Sequence, residues 1–418
     1  MLKQIIHPSE MLVRFLLILQ LQLSKPQYGH VTRLVEAVIV GDGRKTLADL
    51  YRLWVDEPDT SAVADFLRQS PWDEQDVQAR LQAFVIDDLQ AHAEAEGVEP
   101  IVWVSVDDST HHKNKGTTAL EVVDWGYDPK ARGKTGKRKV CKGAVEVSLH
   151  VQIGEYGYRF AFRFYLRERT VRRLNRQRVR EKRLAFKSKY RLAREMLEEL
   201  KALLPPGLTV YVLCDSWYSS KKLLKYCRRQ GWHVIGAIKS NRLLDGQRLD
   251  ARNQTLRHTR YTQVTVADRT YWVRILKGRL RELPFDVCVV ISKRHKRDKH
   301  PRYYVCTDLA LSARAILTGY TKRWPVEVDY YDLKQRLGAS DWRVQSVEAT
   351  RKWMVVVHLA LIFLQWRCHD APTPQERTIG AVIRHQRMSH AREVLTAACE
   401  QVLQTGELAP VLERFIAA

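Results

Sequence analysis

Two acidic stretches follow directly on runs of apolar and β-branched residues, and acids so placed can hold a metal ion. Asp107-Asp108-Ser109-Thr110 follows residues 101–106, and Asp215-Ser216 follows residues 209–214. Such runs predict buried strands, and groups at strand ends of an α/β sheet face the crevice where ligands bind. Neighbouring carboxylates resist joint ionisation unless a cation lies between them. Oxygen donors with no Cys or His partner favour Mg2+ or Mn2+ over zinc. Two such ions, typically about 3.5–4 Å apart across a scissile phosphate, call for a third carboxylate; they would activate an attacking water or DNA hydroxyl and stabilise the leaving oxygen. Glu327 fits, because it falls in the first turn of a helix opened by Pro325. Taken singly, Asp215 is as good a helix cap and Glu327 as good a helix-start charge. Only the three together point to phosphoryl chemistry.

The elements that must position these acids can be read in order. After the strand at 101–106 comes a Gly- and Lys-rich loop at 126–143, then alternating strands at 144–153 and 158–166 joined by a turn at 154–157. A densely basic helix is expected over 170–203, stopped by Pro205-Pro206-Gly207. A strand at 209–214, a helix at 219–230 and a strand at 232–238 follow. Three strands, helix, strand, helix, strand is the order of an RNase H-like mixed sheet, an α/β fold. A β-rich insertion at about 242–312 comes next, with antiparallel strands expected at 261–266, 271–276, 287–292 and 303–307. Helix returns over 313–337, interrupted at Trp324-Pro325 and ended by Gly338, and an apolar helix is expected over 353–366. The expected organisation is therefore a helical region 1–97, a catalytic domain 98–345 and a C-terminal helical region 346–418. The first region fits a helix-turn-helix DNA module and a structural bundle equally well.

Tyr320, Arg323, Glu327 and Lys334 combine four residue types at fixed spacing, Y-x2-R-x3-E-x6-K. This resembles the signature of bacterial insertion-sequence DDE transposases, the group known as insertion-sequence family four and its relatives. The resemblance covers about 101–345, the β-rich insertion included. It implies that Asp108, Asp215 and Glu327 bind the two ions, with Asp108 chosen over Asp107 because the first acid of the pattern stands just before a Ser/Thr pair. It also implies that Tyr320, Arg323 and Lys334 contact DNA phosphate near the cut end, and that a homodimer bridges two transposon ends. The residues themselves leave the first acid open: strand alternation sends Asp107 and Asp108 to opposite faces, and only one can join the site. Lys334, two helical turns after Glu327, is expected on the same face. His111 and His112 read as loop or phosphate-contact residues rather than metal ligands.

Charge names the partner. Seventy Lys and Arg against 47 Asp and Glu give the 418 residues a net charge of +23. An excess of that size is self-repelling and is matched by a polyanion, here double-stranded DNA: the terminal inverted repeats and the target. Lys137, Arg138 and Lys139 in the loop, Arg172, Arg173 and Arg176 in the basic helix, and the run 293–297 are candidate phosphate contacts. Trp272 and Trp217 are candidates for stacking on an unpaired base, with core packing favoured for Trp272. The seven cysteines are scattered with no Cys-x-x-Cys pair, which argues against a zinc ribbon or a disulfide framework and for a reducing cytoplasm. The apolar stretch 11–23 carries Arg14 and is too short for a membrane span, so it is expected as a core helix. The function expected is Mg2+-dependent cleavage of transposon-end DNA and joining of its 3′-hydroxyls to a target. The alternatives are an RNase H-like nuclease or resolvase, and a catalytically silent DNA-binding relative.

Overall fold

In the computed structural model, which describes residues 3–56, 59–127, 140–256 and 260–416, the apolar and alternating runs join one ten-stranded mixed sheet. Strand β1 (Val102–His112) lies antiparallel to β3 (Val140–Ile153), which in turn pairs with β2 (Asp124–Tyr127) and β4 (Tyr156–Tyr165). On its other side β1 runs parallel to β5 (Val210–Cys214), and β5 parallel to β6 (His233–Ile238). Parallel neighbours need crossovers. These contain α7 (Lys189–Leu203) before β5 and α8 (Lys221–Arg229) before β6.

The strands of the β-rich segment add to this sheet. After a two-stranded hairpin of β7 (Leu243–Leu244) and β8 (Gln247–Arg248) and helix α9 (Leu249–Thr255) come β9 (Thr262–Val266), β10 (Arg269–Gly278), β11 (Val287–Lys293) and β12 (Arg302–Cys306). Strand β12 pairs antiparallel with β6, and the sheet continues β12-β11-β10-β9.

Alternation along the central strands builds two apolar layers. Val102, Val104, Val106, Val210, Val212 and Cys214 face the large core. Tyr211, Leu213 and Ile235 face the other way and pack with Ile316 and Leu317 of α10 (Ala313–Thr321). Gly319 allows that close approach: a Cβ there would meet Ile235 and Trp103 side-chain atoms at 2.9 Å.

The large core reaches into the flanking helices. Helices α1 (Glu10–Ile18), α2 (Lys25–Val40), α3 (Leu47–Tyr51), α4 (Thr60–Arg68) and α5 (Glu74–Ala95) precede the sheet. After α11 (Pro325–Tyr331) follow α12 (Val347–His369), α13 (Ile379–Thr405) and α14 (Ala409–Phe415). Helix α12 is buried on nearly every side, as expected for a helix apolar all round. Residues of α1, α2, α5 and α12 share one cluster with the sheet. The stretch 11–23 supplies Leu12, Phe15 and Leu16 to it through α1. No helix among the described residues is long and apolar enough to cross a membrane.

Two expectations change. The basic helix over 170–203 is two helices, α6 (Glu168–Asn175) and α7, separated by an irregular stretch with one 3-10 turn at Arg180–Lys182. Polar pairing takes the backbone out of the helix there: the Asn175 amide donates to the Leu184 carbonyl and accepts from the Leu184 amide at 2.9 and 2.8 Å. Ser188 then caps α7 by accepting from the Arg191 amide. The second change concerns β1, which runs on past the acids to His112 because β3 pairs with it along its whole length. Asp107 and Asp108 therefore lie inside β1, at the point where the β1–β5 pairing ends.

Beneath the acids a buried ionic group spans β1, β3 and β4. Glu146 and Arg159 are fully buried and form an ion pair. His111, also fully buried, has Nε2 2.9 Å from Glu146 Oε2 and Nδ1 3.0 Å from Ser340 Oγ. It is a buried strand residue, not the loop or phosphate-contact residue expected, because β1 continues through it. Removing one member of a buried pair strands the other charge, at a cost of about 3–5 kcal/mol. We predict that Glu146→Ala loses stability of that order in urea denaturation. A loss below about 1 kcal/mol would show that Arg159 is neutralised elsewhere.

Candidate active site

The last pair of the β1–β5 ladder is Val106 with Cys214, so Asp107 and Asp215 stand one residue beyond it on adjacent parallel strands. In that register their side chains leave the sheet on the same face. Each is half-buried. Burial raises the Asp107 carboxyl to about 6, and the negative charges of Asp215 and Asp108 add to the rise while Arg323 opposes it. Asp215 is fixed by the turn after β5: its Oδ1 accepts from the amides of Trp217 and Tyr218 at 2.9 and 3.0 Å.

Arg323 links this pair to the third acid. Its Nη1 donates to Asp107 Oδ2 at 2.8 Å, and its Nη2 pairs with Glu327. Only 14% of the Arg323 side chain is exposed, so the guanidinium works where solvent screens it little. The break between α10 and α11 makes this reach possible. Arg323 sits in the turn between the helices, and Pro325 opens α11 with Glu327 in its first turn.

Asp108 leaves β1 on the other side. Its Oδ2 pairs with Lys189 Nζ of α7 at 2.6 Å, and its Oδ1 accepts from the Tyr218 hydroxyl at 2.9 Å. The Lys189 ammonium also lies 5.1 Å from the centre of the Trp217 ring, which stacks on Tyr190 with centroids 4.3 Å apart. Tyr218 thus touches both acid positions, through its amide at Asp215 and its hydroxyl at Asp108. Its signal in sequence was slight, an aromatic in the turn after a strand-end acid, and Lys189 carried none.

Lys334 reaches the same neighbourhood by a different backbone route from the one expected. It lies in a π-helical turn, Asp332–Arg336, not in a continued α-helix, and its ammonium donates to Ser109 Oγ at 2.6 Å and the Thr110 carbonyl at 2.8 Å. Tyr320 is half-buried, in edge contact with Tyr304. With Arg323 it lines an open groove of about 900 Å3. Arg269, Arg294, His300 and Arg302 line the same groove, giving it a basic wall.

The remaining candidates are scattered. Arg172, Arg173 and Arg176 are exposed on and just after α6, with Arg172 paired to Glu168 at 2.6 Å. Lys137, Arg138 and Lys139 lie outside the described residues. In the run 293–297, Lys293 is buried and the other four are exposed. Trp217 is 41% exposed, while Trp272 is half-buried beside Lys296.

Asp107, Asp215 and Glu327 offer only oxygen donors and Arg323 bridges two of them, but as they stand the three do not bring one oxygen each within 4.8 Å of the others. That donor set suits Mg2+ or Mn2+.

Residues 185–363 match the family model described as a transposase DDE domain. The match spans less than half of the chain. Within it fall Asp215, Tyr320, Arg323, Glu327 and Lys334; Asp107 and Asp108 lie before it. It supports a transposase, and with it an enzyme that acts on DNA with divalent metal. No curated protein matches the chain.

The raised Asp107 carboxyl has a measurable consequence without any metal. Below the ordinary value of 3.8 both folded and unfolded chains carry the proton, and the full contribution is present; it is lost as pH rises towards the folded value of about 6. We predict that, with divalent ions removed, wild type loses on the order of 1–3 kcal/mol relative to Asp107→Asn across that window, then runs parallel to it. Urea denaturation at a series of pH values reads this directly, and an unchanged difference would place Asp107 in an ordinary solvated setting.

Proposed function

We propose that the chain is a DDE transposase with an RNase H-like core, in which Asp107, Asp215 and Glu327 hold two divalent ions, Mg2+ or Mn2+. The observation that carries this reading is the convergence on Arg323: it joins the β1 acid to the α11 acid, while register sets the β5 acid beside the first. The sheet order β4-β3-β1-β5-β6 supports the fold, since it is the meander-plus-crossover order expected of that core. The spacing of Tyr320, Arg323, Glu327 and Lys334 supports placement in insertion-sequence family four or its relatives. On this reading the catalytic unit spans 98–345 with its insertion at 242–312, flanked by helical regions 1–97 and 346–418.

The resemblance favoured Asp108 as the first acid; we assign Asp107 instead. Asp107 shares a face with Asp215 and a bridging arginine with Glu327. Asp108 spends both oxygens on Lys189 and Tyr218, and its part is to hold α7 and the β5 turn against β1.

The ions, when bound, would activate a water or DNA hydroxyl and stabilise the leaving oxygen of the scissile phosphate. The chain's own groups do the positioning. Arg323 presents a rigid fork of donors, which suits a phosphate as well as it suits two carboxylates. Lys334 brings a point charge to the β1 side of the site, and Tyr320 forms part of the groove wall. The exposed arginines of α6 and the basic groove wall supply sequence-independent attraction for double-stranded DNA, both terminal repeats and target. Two ends must be brought together before joining, so a homodimer on DNA is the working form.

With a DNA fragment carrying the element's terminal repeat, Asp215→Asn, Glu327→Gln and Asp107→Asn should abolish cleavage in Mg2+ while DNA affinity stays near wild type. Asp108→Asn should retain a measurable rate. Lys334→Ala should weaken end binding and lower the salt slope by about one unit. Full cleavage by Asp107→Asn with none by Asp108→Asn would reverse the assignment. Cleavage without strand-transfer products from a supplied 3′-hydroxyl end would make the protein a nuclease.

A further inference from the structure

Away from the acids, two histidines and an aspartate meet where α5, α12 and β4 come together. Asp88 and His92 stand one turn apart on α5, and His369 is the last residue of α12. Asp88 Oδ2 lies 3.5 Å from His92 Nε2 and 3.7 Å from His369 Nδ1. One ligand atom from each of the three lies within 4.8 Å of the others. These separations are too long for hydrogen bonds. They are close to what a shared ion requires, since two donors on a tetrahedral zinc with bonds of 2.0–2.1 Å stand roughly 3.4 Å apart.

A second observation points the same way. His369 Nδ1 is buried and has no hydrogen-bond partner among the described residues. The three side chains are 15%, 23% and 11% exposed in the order Asp88, His92, His369, so the cluster is sheltered but reachable. The Tyr158 hydroxyl donates to the same Asp88 oxygen, Oδ2, at 2.7 Å and so fixes the carboxylate. Ligating carboxylates are commonly hydrogen-bonded in this way, which orients them. The amide of Gly157 approaches His369 Nε2 at 3.4 Å, the long limit of a hydrogen bond; with Nδ1 on a metal, Nε2 carries the proton and that contact opens.

We infer that Asp88, His92 and His369 form a zinc-type transition-metal site that clamps α5 to the end of α12. Two imidazoles and one carboxylate are a donor set for zinc, and not for Mg2+, which prefers all-oxygen surroundings. A water fills the fourth position, reached from the cavity of about 720 Å3 that His369, Tyr156 and Gly157 line. The site is separate in residues, elements and ligand chemistry from the three carboxylates, and it stands whether or not the proposed activity does.

The test uses the full chain, stripped of metal by chelator and titrated with Co2+ as a coloured stand-in for zinc. The expected result is uptake of one ion giving the visible absorption of a four-coordinate nitrogen and oxygen site, displaced by one equivalent of Zn2+. His369→Ala and His92→Gln, each checked for native circular dichroism, should lose that absorption, and Zn2+ should raise the melting temperature of wild type but of neither variant. Asp215→Asn and Glu327→Gln should keep it, which separates this site from the carboxylates. Tyr158→Phe should weaken Zn2+ binding by about 10–100-fold. No Co2+ absorption in wild type, or absorption that survives in both histidine variants, would overturn the inference.

Discussion

Asp107 and Asp215 are held side by side by a backbone ladder, and two like charges so placed repel. Strand pairing fixes their positions regardless of that repulsion, because hydrogen bonds and apolar packing on both faces set the register of β1 against β5. The chain answers with Arg323, the group that opposes the rise of the Asp107 carboxyl, and Arg323 also draws in Glu327. A site built this way is under electrostatic tension that Arg323 relieves only in part, since the Asp107 carboxyl stays raised.

Arg323 reaches the acids because its helix stops. Had α10 run on into α11, Tyr320, Arg323 and Glu327 would share one helical face, and Tyr320 commits that face to packing beside Tyr304. The turn at 322–324 carries Arg323, whose guanidinium reaches Asp107 of β1, and Pro325 opens α11 directly after it. Helix α11 then widens into the π-helical turn, closed by the Leu337 amide bonding to the Asp332 carbonyl. Gly338, at φ +59°, ends it. That turn carries Lys334, and its hydrogen bonds to Ser109 and Thr110 fasten it to the strand that holds the acids. Insertions of this kind gather at functional sites.

The positive charge is not spread evenly in its uses. Arg178 is spent inside the protein, pairing with Glu121 at 2.8 Å and with Glu348 at the start of α12, and so ties the stretch between α6 and α7 to the core. Arg163 pairs with Glu199 of α7 in the same fashion. The exposed arginines of α6 and the basic wall of the groove remain available to a polyanion. Basic composition points to a polyanion, but only packing separates the cations that build the protein from those that face outward.

The sequence by itself determined the strand order and pointed to the region of the candidate site. Buried strands must be apolar, alternation must match the face that is covered, and Pro and Gly must fall where helices start and stop; each leaves a local mark, so the start of β1, β5, α11 and the strands from β9 to β12 were legible to within a few residues. Tertiary structure decided the rest. It split the basic helix, because Asn175 bonds to a residue nine positions on. It carried β1 past its acids, because β3 is long enough to pair with all of it, and so buried His111. It divided Asp107 from Asp108 by register against β5 and by what waits on each side, Arg323 or Lys189. Contacts between residues a hundred or more positions apart leave no local mark in a chain. Which of two adjacent aspartates pairs with Arg323 is such a contact.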